Sequence, residues 1–234
     1  MYHSITFGTK NTWSDWHLIP TTRPVVNPPN VKTRYVEIPG SDGVIDLTTV
    51  LCGRPLYENR TGTFEFYVEN GFKDWTVLYS EIATYLQGQK IRMALEDDST
   101  YYYEGRFSVN DWKSNAQRSS IVIDYTIEPY KREDTGYFGK WLWDTLNFET
   151  GIIRDYQNIR INGSTLVRVI GSAMPTGIII TASSALMTVT FQGNTYSLPK
   201  GAATVKEITI TAGINNLLFN GNGTVSIEYT GGLL

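Results

Sequence analysis

From Asn158 to the end of the chain, glycines at 163, 171, 177, 193, 201, 213, 221 and 223 break the sequence every few residues. Between them lie short runs rich in β-branched and aromatic side chains: Ile159–Ile161, Thr165–Ile170, Ile178–Thr181, Met187–Phe191, Tyr196–Leu198, Glu207–Thr211, Asn216–Phe219 and Thr224–Tyr229. Short strands at near-even spacing, punctuated by residues that tolerate positive φ, predict an antiparallel sandwich or jelly-roll. Gly221-Asn222-Gly223 lies between two of the runs and reads as a turn, not as a phosphate cradle.

The first part of the chain is also β-rich, with one change of period. Residues 2–7, Thr63–Val68, Ile91–Leu95, Tyr101–Val109 and Ser119–Glu128 read as strands; in the last, Ile121, Ile123, Tyr125 and Ile127 alternate with Val122, Asp124, Thr126 and Glu128. Between Asp74 and Gln87 the apolar residues Trp75, Leu78, Tyr79, Ile82, Tyr85 and Leu86 fall at helical spacing, and Gly88 stands ready to end the turn. A lone helix of that length is marginal in water, so it must lie on a sheet. The four prolines between Ile19 and Asn30 remove ladder donors and predict an extended arm. The expected fold is therefore mostly β: an N-terminal β domain with one inserted α-helix, then a C-terminal β-sandwich. Proline, charge and glycine after Glu128 place the boundary near 132, which divides the chain into 1–132, a connector at 133–157 carrying the aromatic segment Trp141–Asp144, and a sandwich at 158–234.

Composition narrows the function by exclusion. Net charge is −3, and Lys+Arg against Asp+Glu is 14 to 16 in residues 1–132 and so 6 to 7 in the remainder, which is not the basic surface that tight nucleic-acid binding needs. No window approaches the ~20 apolar residues of a membrane span, and no cleaved signal is expected at Met1–Ile5. The single cysteine, Cys52, rules out an intrachain disulfide and, next to Val50 and Leu51, is expected to be a small buried side chain. His3 and His17 are too few for a histidine metal set or a nucleophile triad, so they read as surface or packing residues, and no catalytic residue, metal or cofactor is expected.

Two groups remain as candidate sites. Tyr35–Thr48 alternates on both sides of Pro39, Gly40, Ser41, Asp42 and Gly43, whose side chains have turn chemistry, so it predicts a hairpin with a solvent-facing tip. Glu96, Asp97 and Asp98 close one strand before Ser99-Thr100; three neighbours on one turn do not make a glycosidase pair, so they read as a solvated hairpin turn. The aromatics Phe191, Tyr196, Phe219 and Tyr229 of the second half sit in strand pattern and read as core, not as a sugar-stacking platform.

Tyr35-Val-Glu-Ile-Pro-Gly-Ser-Asp-Gly43, Asp46-Leu47, Arg60 with Gly62 and Phe64, Leu95-Glu-Asp-Asp98, Tyr101-Tyr-Tyr-Glu-Gly-Arg-Phe107, Asp124-Tyr125 and Pro129-Tyr130, in that order and spacing, resemble the distal tail proteins of long, non-contractile-tailed phages and prophages of Gram-positive hosts. A weaker match covers Gly213–Phe219, Gly223–Tyr229 and the Gly-Leu-Leu end. The resemblance implies a tail-tube-like first domain that closes into a homo-hexameric ring in the virion tail tip, a baseplate hub assembled in the host cytoplasm. It implies a galectin- or carbohydrate-module-like second domain. Implied partners are the tail tube, a tail-associated tip protein and the tape measure, with DNA passing through unbound; no membrane, cofactor or catalysis is implied. In that setting the Pro39–Gly43 tip becomes a candidate assembly loop. The alternative is a host-attachment module whose second domain binds cell-wall polysaccharide.

Overall fold

The computed structural model describes residues 2–68, 75–114, 119–134 and 155–234. The Trp141–Asp144 segment and most of the expected connector lie outside them. The chain divides into two units, Met1–Lys131 with Leu234, and Arg132–Leu233.

In the first unit the strands are β1 (Ile5–Phe7), β2 (Lys10–Asn11), β3 (Leu18–Pro20), β4 (Tyr35–Glu37), β5 (Val44–Asp46), β6 (Arg60–Val68), β7 (Lys90–Leu95), β8 (Tyr101–Ser114) and β9 (Ser119–Ile127); β10 (Lys131–Glu133) follows at the boundary. Antiparallel pairs give the order β2-β1-β7-β8-β9-β6-β3. Every second residue of the central strands is buried: Phe64, Phe66 and Val68 on β6, and Ile121, Ile123, Tyr125 and Ile127 on β9. Helix α1 (Trp75–Leu86) lays Leu78, Ile82 and Leu86 into the same core, as its spacing predicts. Gly88, at φ +75°, follows its last turn. The proline run contributes Leu18–Pro20 as a short edge strand and is otherwise without regular structure.

The second unit contains β11 (Ile159–Gly171), β12 (Thr176–Ala182), β13 (Met187–Phe191), β14 (Asn194–Leu198), β15 (Gly201–Ile210), β16 (Gly213–Glu228) and β17 (Gly232–Leu233). β17 pairs with β10. The order β14-β13-β16-β12-β15, with β11 along β16, shows where the expected turns are wrong. Gly163, Gly221 and Gly223 lie inside strands: β11 and β16 stay paired from Ile159↔Val225 to Gly171↔Gly213, passing through Gly163↔Gly221 and Ile161↔Gly223. At these positions the ribbon bends. Gly163, Gly221 and Gly223 all have positive φ, and a Cβ on Gly223 would stand 2.5 Å from Ser183 Oγ. β13 joins one side of the bend through Thr188–Thr190 and β12 joins the other through Ile179–Ala182. Met187, Val189 and Leu198 from one wing and Ile178, Ile180, Ile208 and Ile210 from the other share a core with Leu217 and Phe219 of the ribbon, which is the sandwich expected from the sequence.

Candidate functional site

The Tyr35–Thr48 stretch forms the expected hairpin, paired Tyr35↔Asp46, Val36↔Ile45 and Glu37↔Val44, and β4 and β5 stand as a sheet of their own. Gly40 and Gly43 take φ of +83° and +78°, the geometry for which turn glycines are suited. The pairing continues toward the body of the unit through the Val31↔Tyr57 bridge and the Lys32 N–H to Leu56 C=O and Glu58 N–H to Asn30 C=O bonds, both 2.8 Å. Residues 30–58 thus make one arm. Its root is fixed by Arg60, which is buried and donates from Nε to Pro129 C=O at 2.8 Å and from Nη1 to Asn27 C=O at 3.0 Å. Burial lowers the Arg60 pKa from its ordinary value, against an opposing pull from Tyr103 and Tyr125.

One face of the β4–β5 hairpin is apolar, with Val36 beside Ile45, and the other sets Tyr35 and Val44 among Asp46 and Glu37; all six are exposed among the described residues. Tyr35, Val36, Ile38, Val44, Ile45, Val50, Leu51 and Leu56 are all exposed, Leu51 to 93%. Cys52 is exposed as well, contrary to the expectation of a buried thiol: its apolar neighbours Val50 and Leu51 belong to the arm and reach no core. Burying a large apolar side chain is worth roughly 1.5–3 kcal/mol, so this set at about half exposure leaves on the order of 6–12 kcal/mol unused. A two-stranded hairpin alone is marginal in water. Contiguous exposed apolar side chains of this extent are a general mark of interaction surfaces.

The acidic group forms a 3-10 turn at Glu96–Asp98 between β7 and β8, but it is not merely solvated. Glu96 Oε2 accepts from Ser4 N–H at 2.7 Å, Asp97 meets His3 Nδ1 at 2.9 Å and Arg23 Nε at 2.8 Å, and Asp98 meets Lys131 Nζ at 2.6 Å. The three carboxylates clasp the first strand, the proline arm and the end of the unit. Sequence spacing could not reveal this, because the four partners lie 92, 94, 74 and 33 residues away. Desolvation pushes the Asp97 pKa up, but hydrogen bonds and charge from Arg23 and His3 outweigh it and hold the carboxyl below its ordinary value of 3.8. A group depressed in this way stabilises the fold above its unfolded pKa, and that contribution is lost as pH falls through the folded value. Asp97→Asn should therefore melt below the wild type at pH 7, by a few degrees, with the gap closing as both are titrated below the ordinary carboxylate range. A gap unchanged at low pH would mean the carboxylate charge is not what holds the clasp.

The face of the first sheet turned away from the core carries charge of both signs. Lys90 bridges Glu104 at 3.3 Å and Glu128 at 2.8 Å, and Arg92 lies over the Tyr102 ring at 4.5 Å. Hydrogen bonds to Glu128 and Glu104 raise the Lys90 pKa above its ordinary value. Among the described residues of both units, no group of three or more His, Cys, Asp or Glu is arranged to hold a metal ion.

No family model and no curated protein matches the sequence. Among solved structures the chain is similar to the crystal structure of SPP1 Dit (gp 19.1), described as a paradigm of the hub adsorption apparatus in Gram-positive infecting phages; the likeness covers 100% of both chains with a TM-score of 0.60 and 10% sequence identity. At that identity the comparison speaks to the fold: this chain, a helix-bearing β unit followed by a β-sandwich, is similar in fold to SPP1 Dit.

Proposed function

We propose that this protein is a structural hub of a phage tail tip, in which the first unit closes into a homo-hexameric ring at the distal end of the tail tube. The observation that carries the proposal is the arm. A ring requires two different, complementary patches on each subunit, and an apolar arm that pairs with no other strand among the described residues supplies one of them. In this reading residues 1–132 form the ring, 133–157 connect, and 158–234 present the second domain to a tail-associated tip protein. The Pro39–Gly43 tip meets the neighbouring subunit or the tube.

The mixed-sign sheet face around Lys90, Glu104 and Glu128 suits a conduit wall, since a surface neutralised from within neither holds nor repels the tape measure or the DNA. Light scattering on the purified chain, alone and with its tail tube protein, should give a six-subunit mass, and electron microscopy should show rings with an open centre. Gly43→Val, which places a β-branched residue at φ +78° where a Cβ meets nothing within 4 Å, should impair ring formation more than thermal stability. A monomer under all these conditions overturns the proposal.

A further inference from the structure

Along β11 beyond Gly163, Val167 and Val169 point into the core, while Leu166, Arg168 and Ile170 are exposed. Backbone groups follow the same period of two: in an antiparallel pair, alternate residues bond to the partner strand and the others face away. Ile170 faces away from β16, for its N–H donates to Tyr156 Oη at 3.0 Å and its C=O accepts from the Tyr229 hydroxyl. Arg168, Leu166 and Ser164 therefore turn their N–H and C=O groups to the same side, and among the described strands β11 pairs with β16 alone. The result is an open strand edge, closed at one end by two tyrosine hydroxyls and at the other by the Gly163 bend. Natural edges of this length are blunted by proline, charged side chains or a covering element; β11 contains no proline and no lysine, and its charges are Arg160 and Arg168 alone.

The side chains beside this edge are equally distinctive. Arg168 lies across from Asn216, with Leu166↔Leu218 on one side and Ile170↔Ile214 on the other, so no carboxylate faces it on β16. Leu166 is 51% and Ile214 67% exposed. A cation set among aliphatic side chains has the make-up of an interface centre. Edge-to-edge pairing of two copies around Leu166 would set each Arg168 against Ser164, so a second copy offers neither guanidinium a carboxylate and is the poorer occupant.

We propose that the β11 edge from Ser164 to Arg168 is a docking slot for an extended segment of another protein, which joins the sheet as an added strand with an acidic residue opposite Arg168 and an aliphatic residue opposite Leu166. Main-chain bonds supply the affinity and the alternating side chains the selectivity. The tyrosine hydroxyls at Ile170 fix where the added strand stops and hence its register.

The test uses the full-length protein and a synthetic heptapeptide of threonines alternating with valine, glutamate and valine. Saturable binding is expected, with exchange of the Leu166 and Arg168 amides fast in the free protein and slowed about tenfold or more by the peptide. Arg168→Glu should weaken this peptide about tenfold and bind the lysine-centred counterpart instead. Leu166→Pro removes an outward N–H that the β16 ladder does not use, so it should keep the fold and lose binding; a melting curve checks the fold, and the charge exchange at Arg168 decides the matter even if that variant misfolds. Unchanged affinity in Arg168→Glu overturns the proposal. So do slow Leu166 and Arg168 amides in the free protein at every concentration, which would mean the chain covers its own edge, or protection that grows with protein concentration alone, which would mean a second copy does.

Discussion

On the proposed ring assembly, Val36→Glu combined with Ile45→Lys should yield a folded monomer. Val36 and Ile45 are cross-strand partners on the arm, so the new glutamate and lysine face each other and the hairpin keeps a favourable pair in place of an apolar one. What changes is the surface offered to a neighbour. Two half-exposed aliphatic side chains that would contribute about 2–3 kcal/mol on burial become two charges that must be desolvated, at several kcal/mol each unless a partner is built for them. In a closed ring the loss recurs at every interface. The double variant should scatter as a single subunit under conditions in which the wild type scatters as the proposed ring, with an unchanged circular dichroism spectrum and a melting temperature within a few degrees. Rings of normal mass from this variant would remove the arm from the assembly mechanism.

A large effect on folding is expected at Gly105. It lies in β8 between Ile91 of β7 and Ile127 of β9, and a Cβ there would run into the Thr126 carbonyl oxygen and come within 2.5 Å of Ile127 Cα and 2.8 Å of Ile127 Cγ2. The obstruction is main chain, so no side-chain rotation relieves it and the central pairing of the sheet must shift. Gly105→Ala should cost about 3 kcal/mol or more of stability in urea unfolding, at the upper end of overpacking effects. Gly88→Ala is the control. Its Cβ meets nothing within 4 Å, so only the φ of +75° is penalised and the cost should stay near about 1 kcal/mol. Equal losses at the two positions would show that backbone freedom, not the close approach of β8 to β9, explains Gly105.

The features legible in the sequence are those with a local period. The alternation of Ile121, Ile123, Tyr125 and Ile127, the 3.6-residue stripe ending at Leu86 with Gly88 behind it, and the hairpin around Pro39–Gly43 all follow from neighbours in the chain, and the structure places them accordingly. Three other features depend on partners far away in sequence. The clasp at Glu96–Asp98 needs Ser4, His3, Arg23 and Lys131. Cys52 sits in an apolar stretch that looks like core in isolation, and its exposure follows from the β4–β5 arm pairing with no other strand among the described residues. Gly221-Asn222-Gly223 has turn composition, yet the facing Gly163 and Ile161 keep it within the ladder and turn its freedom into a bend. The rule that glycine marks a chain reversal fails when glycines oppose one another on paired strands.

That bend governs how the second unit comes apart. Because a single β11–β16 ribbon runs through both wings of the sandwich, neither wing owns a complete set of its own strands. Opening one wing strips the ribbon of the side chains that hold it in the other, so the unit has no partition into independently melting halves. Its amide protons on β12 and β13 should exchange through one shared opening reaction with a common free energy, although those strands never pair with each other.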